Sequence, residues 1–295
     1  MDATHEFGDG TLFAAVRQEG AELCSLRDPA GAEWLWTAGP EWPRHAPVLF
    51  PVVGRLHADR YRYAGRDYPM GQHGFVRDRR FEWTERRANG CALILRDDAA
   101  TREAYPFAFA LELDYALRDG ALHCVAAVRN PGAVPLPFSI GGHPGFAWPL
   151  PGASRKDDHA VIFAENEPGP VLRVSDGLLG DPAPSPVRNR RLALSESLFA
   201  VDAVVLPGVR SRALRLESAA GPALAMEWDG YGDLGIWSKP GGAPFLCLEP
   251  WCGHASPVGW EGEIADKPGI VLLPPGGERR FRWSVRPEPV AAGPG

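Results

Sequence analysis

The chain has 295 residues, 45% of them hydrophobic, with 10 Trp, 13 Phe, 34 Gly and 30 Pro and a formal net charge of −6. That length can bury a large core, and aromatic residues mixed with turn formers suit many short strands better than helices. Basic residues are scattered rather than striped, which argues against nucleic acid and against an anionic membrane surface as partners. The five cysteines, Cys24, Cys91, Cys124, Cys247 and Cys252, are odd in number and include no CxxC pair. They read as reduced, mostly buried thiols of an intracellular protein. The first residues lack a signal-peptide pattern, and the longest apolar stretch, around residues 47–53, is short and broken by prolines. The expected location is therefore the cytoplasm.

In chain order, strands are expected over residues 11–16, 21–26, 34–36, 81–86 and 91–95, followed by a short helix over 99–104. Asp98 is its N-cap and Tyr105-Pro106 its stop. Next comes the clearest element, a hairpin. Leu111, Leu113, Tyr115 and Leu117 alternate with polar or small residues, Asp119-Gly120 forms a two-residue turn, and Leu122, Cys124, Ala126 and Val128 alternate again. This predicts Leu117 opposite Leu122, Tyr115 opposite Cys124, Leu113 opposite Ala126 and Leu111 opposite Val128. Further strands are expected over 161–163, 213–217, 223–227, 234–237 and 281–285. Residues 168–191, rich in Pro, Gly, Asp and Arg, read as a long surface connection. Strands at roughly ten-residue spacing indicate a single all-β sandwich or barrel domain over residues 1–286, with 287–295 a disordered tail.

Three segments carry candidate chemistry. Phe245-Leu246-Cys247-Leu248 delivers Glu249 from an apolar strand into Pro250-Trp251. Strand parity puts Phe245, Cys247 and Glu249 on one face and Leu246 and Leu248 on the other. A buried carboxylate there needs partners or a task, while a strand-end glutamate facing water is the alternative. Gly141-Gly142-His143-Pro144-Gly145-Phe146 and Gln72-His73-Gly74-Phe75 each frame an imidazole with glycines and aromatics, although a histidine simply hydrogen-bonded in a loop has the same appearance. His5, His45, His57, His123, His159 and His254 have no such framing. Cys252-Gly253-His254 lacks the second pair a metal site would need. Leu49-Phe50-Pro51-Val52-Val53-Gly54 ends in Arg55, suited to sugar hydroxyls, to an anion or to a surface salt bridge. No P-loop, GxGxxG, GxSxG or HExxH pattern is present.

Taken in order, Pro51 to Arg55, Tyr61 to Tyr68, Gln72 to Phe75, Gly142 to Phe146, Ile236-Trp237-Ser238 and Leu246 to Gly253 resemble the aldose 1-epimerase (galactose mutarotase) family, most closely its LacX-like bacterial branch. The likeness runs from about Trp34 to Trp283. It implies a large antiparallel β-sandwich, or supersandwich, with a sugar cleft across one concave sheet. It also implies Glu249 as general base, His143 as general acid, His73 as a second substrate-binding histidine and Arg55 as a sugar contact. Asp233 and Trp237 lie near family positions that line the cleft. Where galactose-specific members carry Asn-Arg, this chain has Gly54-Arg55, a departure that bears on the sugar rather than the chemistry. The implied reaction interconverts the α and β anomers of a hexose without metal or organic cofactor, with a small-molecule sugar as partner.

At ordinary pKa values of about 4.3 and 6.5, the working pair of Glu carboxylate and His imidazolium is expected just below neutral pH, with a bell-shaped rate profile. Phe75, Phe146, Trp237 and Trp251 are candidates to stack on the sugar. Three rival readings stand beside this one. A hexose-6-phosphate epimerase would use Arg55, Arg77 and Lys239 on the phosphate. A non-catalytic carbohydrate-binding or sensing domain would use the same concave surface. A metal centre would use His73, His143 and Glu249 as a facial triad.

Overall fold

The hairpin around Asp119-Gly120 forms in the register its apolar residues dictate, with Leu117, Tyr115, Leu113 and Leu111 opposite Leu122, Cys124, Ala126 and Val128. Both turn residues adopt left-handed backbone, φ 53° and 69°, as a two-residue turn matched to strand twist requires. The strands Ala110–Arg118 and Ala121–Arg129 lie in a nine-stranded antiparallel sheet. That sheet runs in the order Arg191–Ala193, His159–Phe163, Ala213–Ser218, Ala223–Asp229, Glu278–Glu288, Ala121–Arg129, Ala110–Arg118, Gly90–Arg96 and Glu82–Arg87. This computed structural model describes residues 3–289.

A second large sheet packs against the first. Its order is Leu178–Ala183, Val171–Ser175, Val204–Leu206, Asp233–Trp237, Phe245–Cys252, Ile140–Gly142 and Val48–Leu49, with Gly145–Ala147 also paired to Phe245–Cys252. Between the sheets, Leu246, Leu248, Leu234 and Ile236 from one side join Leu113, Leu224, Met226 and Phe281 from the other in one buried cluster. Each such side chain contributes about 1.5–3 kcal/mol by leaving water. The architecture is the all-β sandwich expected from composition and strand spacing.

The short helix Ala99–Ala104 is capped by Asp98, which accepts from the Thr101 N–H while the Thr101 hydroxyl accepts from the Asp98 N–H. Residues 168–191 depart from expectation. They hold the hairpin Val171–Ser175 and Leu178–Ala183, which forms one edge of the second sheet. Its turn, Asp176-Gly177, has the same left-handed pair of residues as Asp119-Gly120, with φ 51° and 80°. Residues 34–36 are not a strand; Glu33 and Leu35 make isolated bridges to Arg27 and Phe146. The last strand continues through Glu288, so Pro287 and Glu288 belong to the sheet rather than to a tail. Residues 290–295 of the expected tail lie outside the described residues. All five cysteines are free thiols. Among the described residues, no helix is long and apolar enough to cross a membrane.

Candidate active site

Glu249 lies inside the strand Phe245–Cys252 rather than at its end, and it is 1% exposed. The parity read from sequence holds. Leu246 and Leu248 point between the sheets, while Phe245 and Cys247 point to the opposite face beside Trp36. Glu249 shares that second face and lines a cavity of about 360 Å³.

His143 reaches this cavity because the adjoining strand is interrupted. Ile140 and Gly141 pair with Cys252 and Trp251, and Gly145 to Ala147 pair with Cys247 to Phe245. His143-Pro144 lies between these two short strands, opposite the region of Glu249 and Pro250. Two prolines face the gap, and neither has an N–H to continue a ladder. The His143 N–H donates instead to the Pro47 carbonyl at 3.1 Å. Its Nε2 comes within 3.2 Å of Glu249 Oε2.

The imidazole of His143 is enclosed by rings. Trp42 stacks on it at 4.8 Å between centroids, Trp237 meets it edge-on at 5.8 Å, and His73 does so at 5.5 Å. Burial pulls its pKa down to about 3, and Arg77 adds to the effect, while a hydrogen bond and Glu22 oppose it. Burial pushes Glu249 well above the ordinary carboxylate range, with the charge of Asp202 acting in the same direction. No donor of acceptable geometry reaches Glu249 Oε2. Burial thus drives both groups toward their neutral forms. This corrects the expectation of an ordinary carboxylate and imidazolium, because the aromatic enclosure removes the water that would solvate either charge.

His73 lines the same cavity and is held in one tautomer. Its Nδ1 accepts from the Gly54 N–H at 3.1 Å, so Nε2 carries the proton and serves as a donor. Burial and the neighbouring His143 lower its pKa well below 6.5, keeping it neutral. Glycines on both sides of this contact are obligatory. Gly54 has φ +71°, and a Cβ there would lie 2.4 Å from the Cβ of Ala255. A Cβ on Gly74, at φ +72°, would lie 2.1 Å from the Phe50 carbonyl oxygen.

The remaining expected site residues divide. Trp237 and Trp251 line the cavity, whereas Phe146 is core and Phe75 packs against it. Arg55 is not among the lining residues. Its guanidinium makes a bidentate pair with Asp59, at 2.7 and 2.6 Å, and reaches the Asp176 carbonyl at 3.2 Å. Asp233 accepts from the Gly208 N–H at 2.9 Å and borders a separate groove. Lys239 donates to the Glu41 carbonyl and is likewise absent from the lining. In their place stand Arg77, whose Nη2 donates to the Gln72 carbonyl at 2.8 Å, and Asp202, whose pKa burial raises. Arg77 Nε has no hydrogen-bond partner. The sequence marks Arg77 only as a candidate phosphate contact of the rival reading; Asp202 sits in a turn without any motif.

A family model described as aldose 1-epimerase matches residues 4–269. The chain belongs to the aldose 1-epimerase family. Among curated relatives of this family member, the chromosomal LacX protein of Lactococcus lactis subsp. lactis is 32% identical, with 92% of this chain and 95% of that protein covered. An X-ray structure of a galactose mutarotase related enzyme from Lactobacillus acidophilus superposes with TM-score 0.91 at 30% identity, covering 97% of each chain. A galactose mutarotase-like protein from Lactobacillus casei gives TM-score 0.89 at 29% identity, over 97% of this chain and all of that one. Aldose 1-epimerases act on sugars.

Proposed function

We propose that this chain is a mutarotase that interconverts the α and β anomers of a neutral hexose, with Glu249 and His143 as the proton-transfer pair. The observation that carries the reading is the 3.2 Å separation of Glu249 Oε2 and His143 Nε2 on the wall of an aromatic-lined cleft. The anomeric hydroxyl and the ring oxygen of an aldose are bonded to the same carbon. A base for one and an acid for the other must therefore stand side by side.

Ring opening starts from the charge-separated pair. The Glu249 carboxylate takes the proton of the anomeric hydroxyl, electrons form the carbonyl as the ring C–O bond breaks, and the His143 imidazolium gives its proton to the ring oxygen. The pair is then neutral, Glu249 protonated and His143 not. Rotation about the bond to the aldehyde presents its other face. Closure runs with the roles reversed and restores the charged pair. The two protonation states of the cycle hold the same number of protons, and the neutral one is the form that burial favours. Sugar hydroxyls entering the site supply the hydrogen bonds that the carboxylate lacks, and stacking on Trp42 favours the imidazolium. His73 Nε2–H and Arg77 would donate to hydroxyls, and Asp202 would accept.

The neutral sugar is preferred over a phosphate ester because, of the three basic residues considered for a phosphate, Arg77 alone lines the cleft, accompanied by the acidic Asp202. The test is polarimetry of freshly dissolved α-glucose and α-galactose with wild type, Glu249→Gln and His143→Ala, and hexose 6-phosphate as competitor. Acceleration by wild type that collapses in both folded variants is expected. A wild type that binds sugar without turnover would replace this reading with a binding module, and potent competition by the phosphate ester would redirect the substrate.

A further inference from the structure

The face that carries Glu249 holds a third group that the proton transfers leave unused. Cys247 precedes Glu249 by two residues on the same strand, so both project from one face, and its thiol is fully buried. A ring nitrogen of His143, the Cys247 Sγ and a carboxylate oxygen of Glu249 all lie within 4.8 Å of one another. We propose that these three side chains form a binding site for a thiophilic divalent cation, zinc above all, and that occupation of the site switches the acid/base pair off.

The donor set points to zinc in particular. One nitrogen, one sulfur and one oxygen make three of four tetrahedral ligands, and two of the three residues, His143 and Glu249, line the cleft, from which water or a sugar hydroxyl could supply the fourth. Zinc–ligand bonds of about 2.0–2.3 Å place neighbouring donors roughly 3.3–3.8 Å apart, so a triangle with sides of up to 4.8 Å must contract by up to about 1–1.5 Å, by side-chain rotation, to close on the ion. Calcium and magnesium prefer all-oxygen cages and would be poorly served by a thiol and an imidazole. One oxygen of the carboxylate is open to a metal, since Glu249 Oε2 has no hydrogen-bond partner of acceptable geometry. The charges also balance. A zinc ion entering displaces the thiol proton of Cys247 and the proton of the protonated Glu249, releasing two protons to solvent. What remains is one dication, a thiolate, a carboxylate and a neutral imidazole, with no net charge added to a buried site. The metal would engage the imidazole of His143 and the carboxylate of Glu249, the two groups proposed to move the proton, so coordination and turnover would exclude one another.

Metal binding stands independently of the proposed reaction, whereas the switch rests on it, and the experiment separates the two. Cobalt(II) titrated into the full-length protein is the probe. Wild type is expected to bind one equivalent with a thiolate-to-cobalt charge-transfer band and tetrahedral visible bands, both bleached by zinc. Cys247→Ala and Cys247→Ser, checked for folding by thermal melts, should lose the charge-transfer band and bind at least about tenfold more weakly; Cys252→Ser should keep it. Absence of the band in wild type, or its survival in both Cys247 variants, overturns the site. In parallel, equimolar zinc should abolish mutarotation by wild type reversibly, with chelator restoring it, while Cys247→Ala should need about tenfold more zinc. Cobalt binding without zinc inhibition would overturn the switch alone, and absence of turnover in metal-free wild type would count against the epimerase reading while the spectrum still decides the site.

Discussion

Glu22 and Glu249 are both glutamates removed from water, 2% and 1% exposed, and their surroundings could hardly differ more. Glu22 takes hydrogen bonds from the N–H groups of His45 and Ala46 at 2.7 and 3.0 Å and pairs with Arg17. Burial pushes its pKa up, yet these partners more than offset it, and the net shift is downward. Glu167 is treated likewise, accepting from the N–H groups of Arg210 and Ser211 and from the Ser211 hydroxyl. Glu249 has an unclaimed oxygen, a neighbouring histidine that is itself enclosed by rings, and a pKa driven upward. A buried carboxylate with its hydrogen bonds supplied holds loops in place. One left without them keeps its lone pairs for a ligand.

Several changes would break or sharpen this contrast. The largest effect is expected for Glu249→Gln, which should lower kcat/KM by about 10³-fold while leaving the melting temperature unchanged or slightly raised. Glu22→Gln should do the reverse, costing about 2–3 kcal/mol of stability while the folded protein keeps kcat/KM within a few-fold. The sign of its pH dependence follows. Glu22 has a folded pKa below its ordinary value of 4.5, so its contribution is full above that value and is lost as pH falls through the folded pKa. The stability gap between wild type and Glu22→Gln, measured by urea melts, should therefore be constant above pH 4.5 and narrow progressively as pH falls below that value.

Next comes the arginine pair. Arg77→Ala should raise KM about tenfold with kcat little changed, and Arg55→Ala should alter either constant by less than about threefold. A large effect at Arg55 with none at Arg77 would reverse the assignment. The smallest effect concerns pH and rate. With His143 pulled down to about 3 and Glu249 raised, the pair keeps its one exchangeable proton across a wide range. From roughly pH 5 to neutrality kcat/KM should vary by less than about twofold, falling only on further acidification or on alkaline loss of that proton. A limb centred near 6.5, the value of an ordinary histidine, would contradict the enclosed pair.

Local periodicity explains which parts of this arrangement were legible in the sequence. The Asp119-Gly120 hairpin, the Asp98-capped helix and the parity of Phe245 to Glu249 depend on interactions a few residues long, and each appears as the pattern required. The Val171–Ala183 hairpin went unread because its arms are short and interrupted by Gly180 and Pro182, although Asp176-Gly177 carried the turn signal. For Arg55 the residues alone left a sugar, an anion or a salt bridge open, and only the family resemblance implied a sugar contact; the structure shows the salt bridge. Its partner, Asp59, lies four residues on and takes both arms of the guanidinium. Asp202 has no local signature, since its place in the cleft depends on how a turn meets one face of the second sheet in space. The protonation of the catalytic pair was misjudged for a related reason. Sequence shows which groups titrate, whereas desolvation by Trp42, Trp237 and His73 depends on residues up to about a hundred positions apart.

The hairpin that escaped notice also divides the labour of change within the molecule. Its turn residue Gly177 forms part of the cleft wall, and its outer arm, Leu178–Ala183, is the last strand of its sheet, met beyond only by an isolated bridge from Leu179 to Pro257. Glu249 sits on an inner strand locked between neighbours. Lengthening or shortening an outermost loop leaves the other strands' pairing intact, whereas a one-residue slip of the inner strand would turn Glu249 into the core. Insertions and deletions can therefore reshape the rim of the cleft while the placement of Glu249 is inherited unaltered.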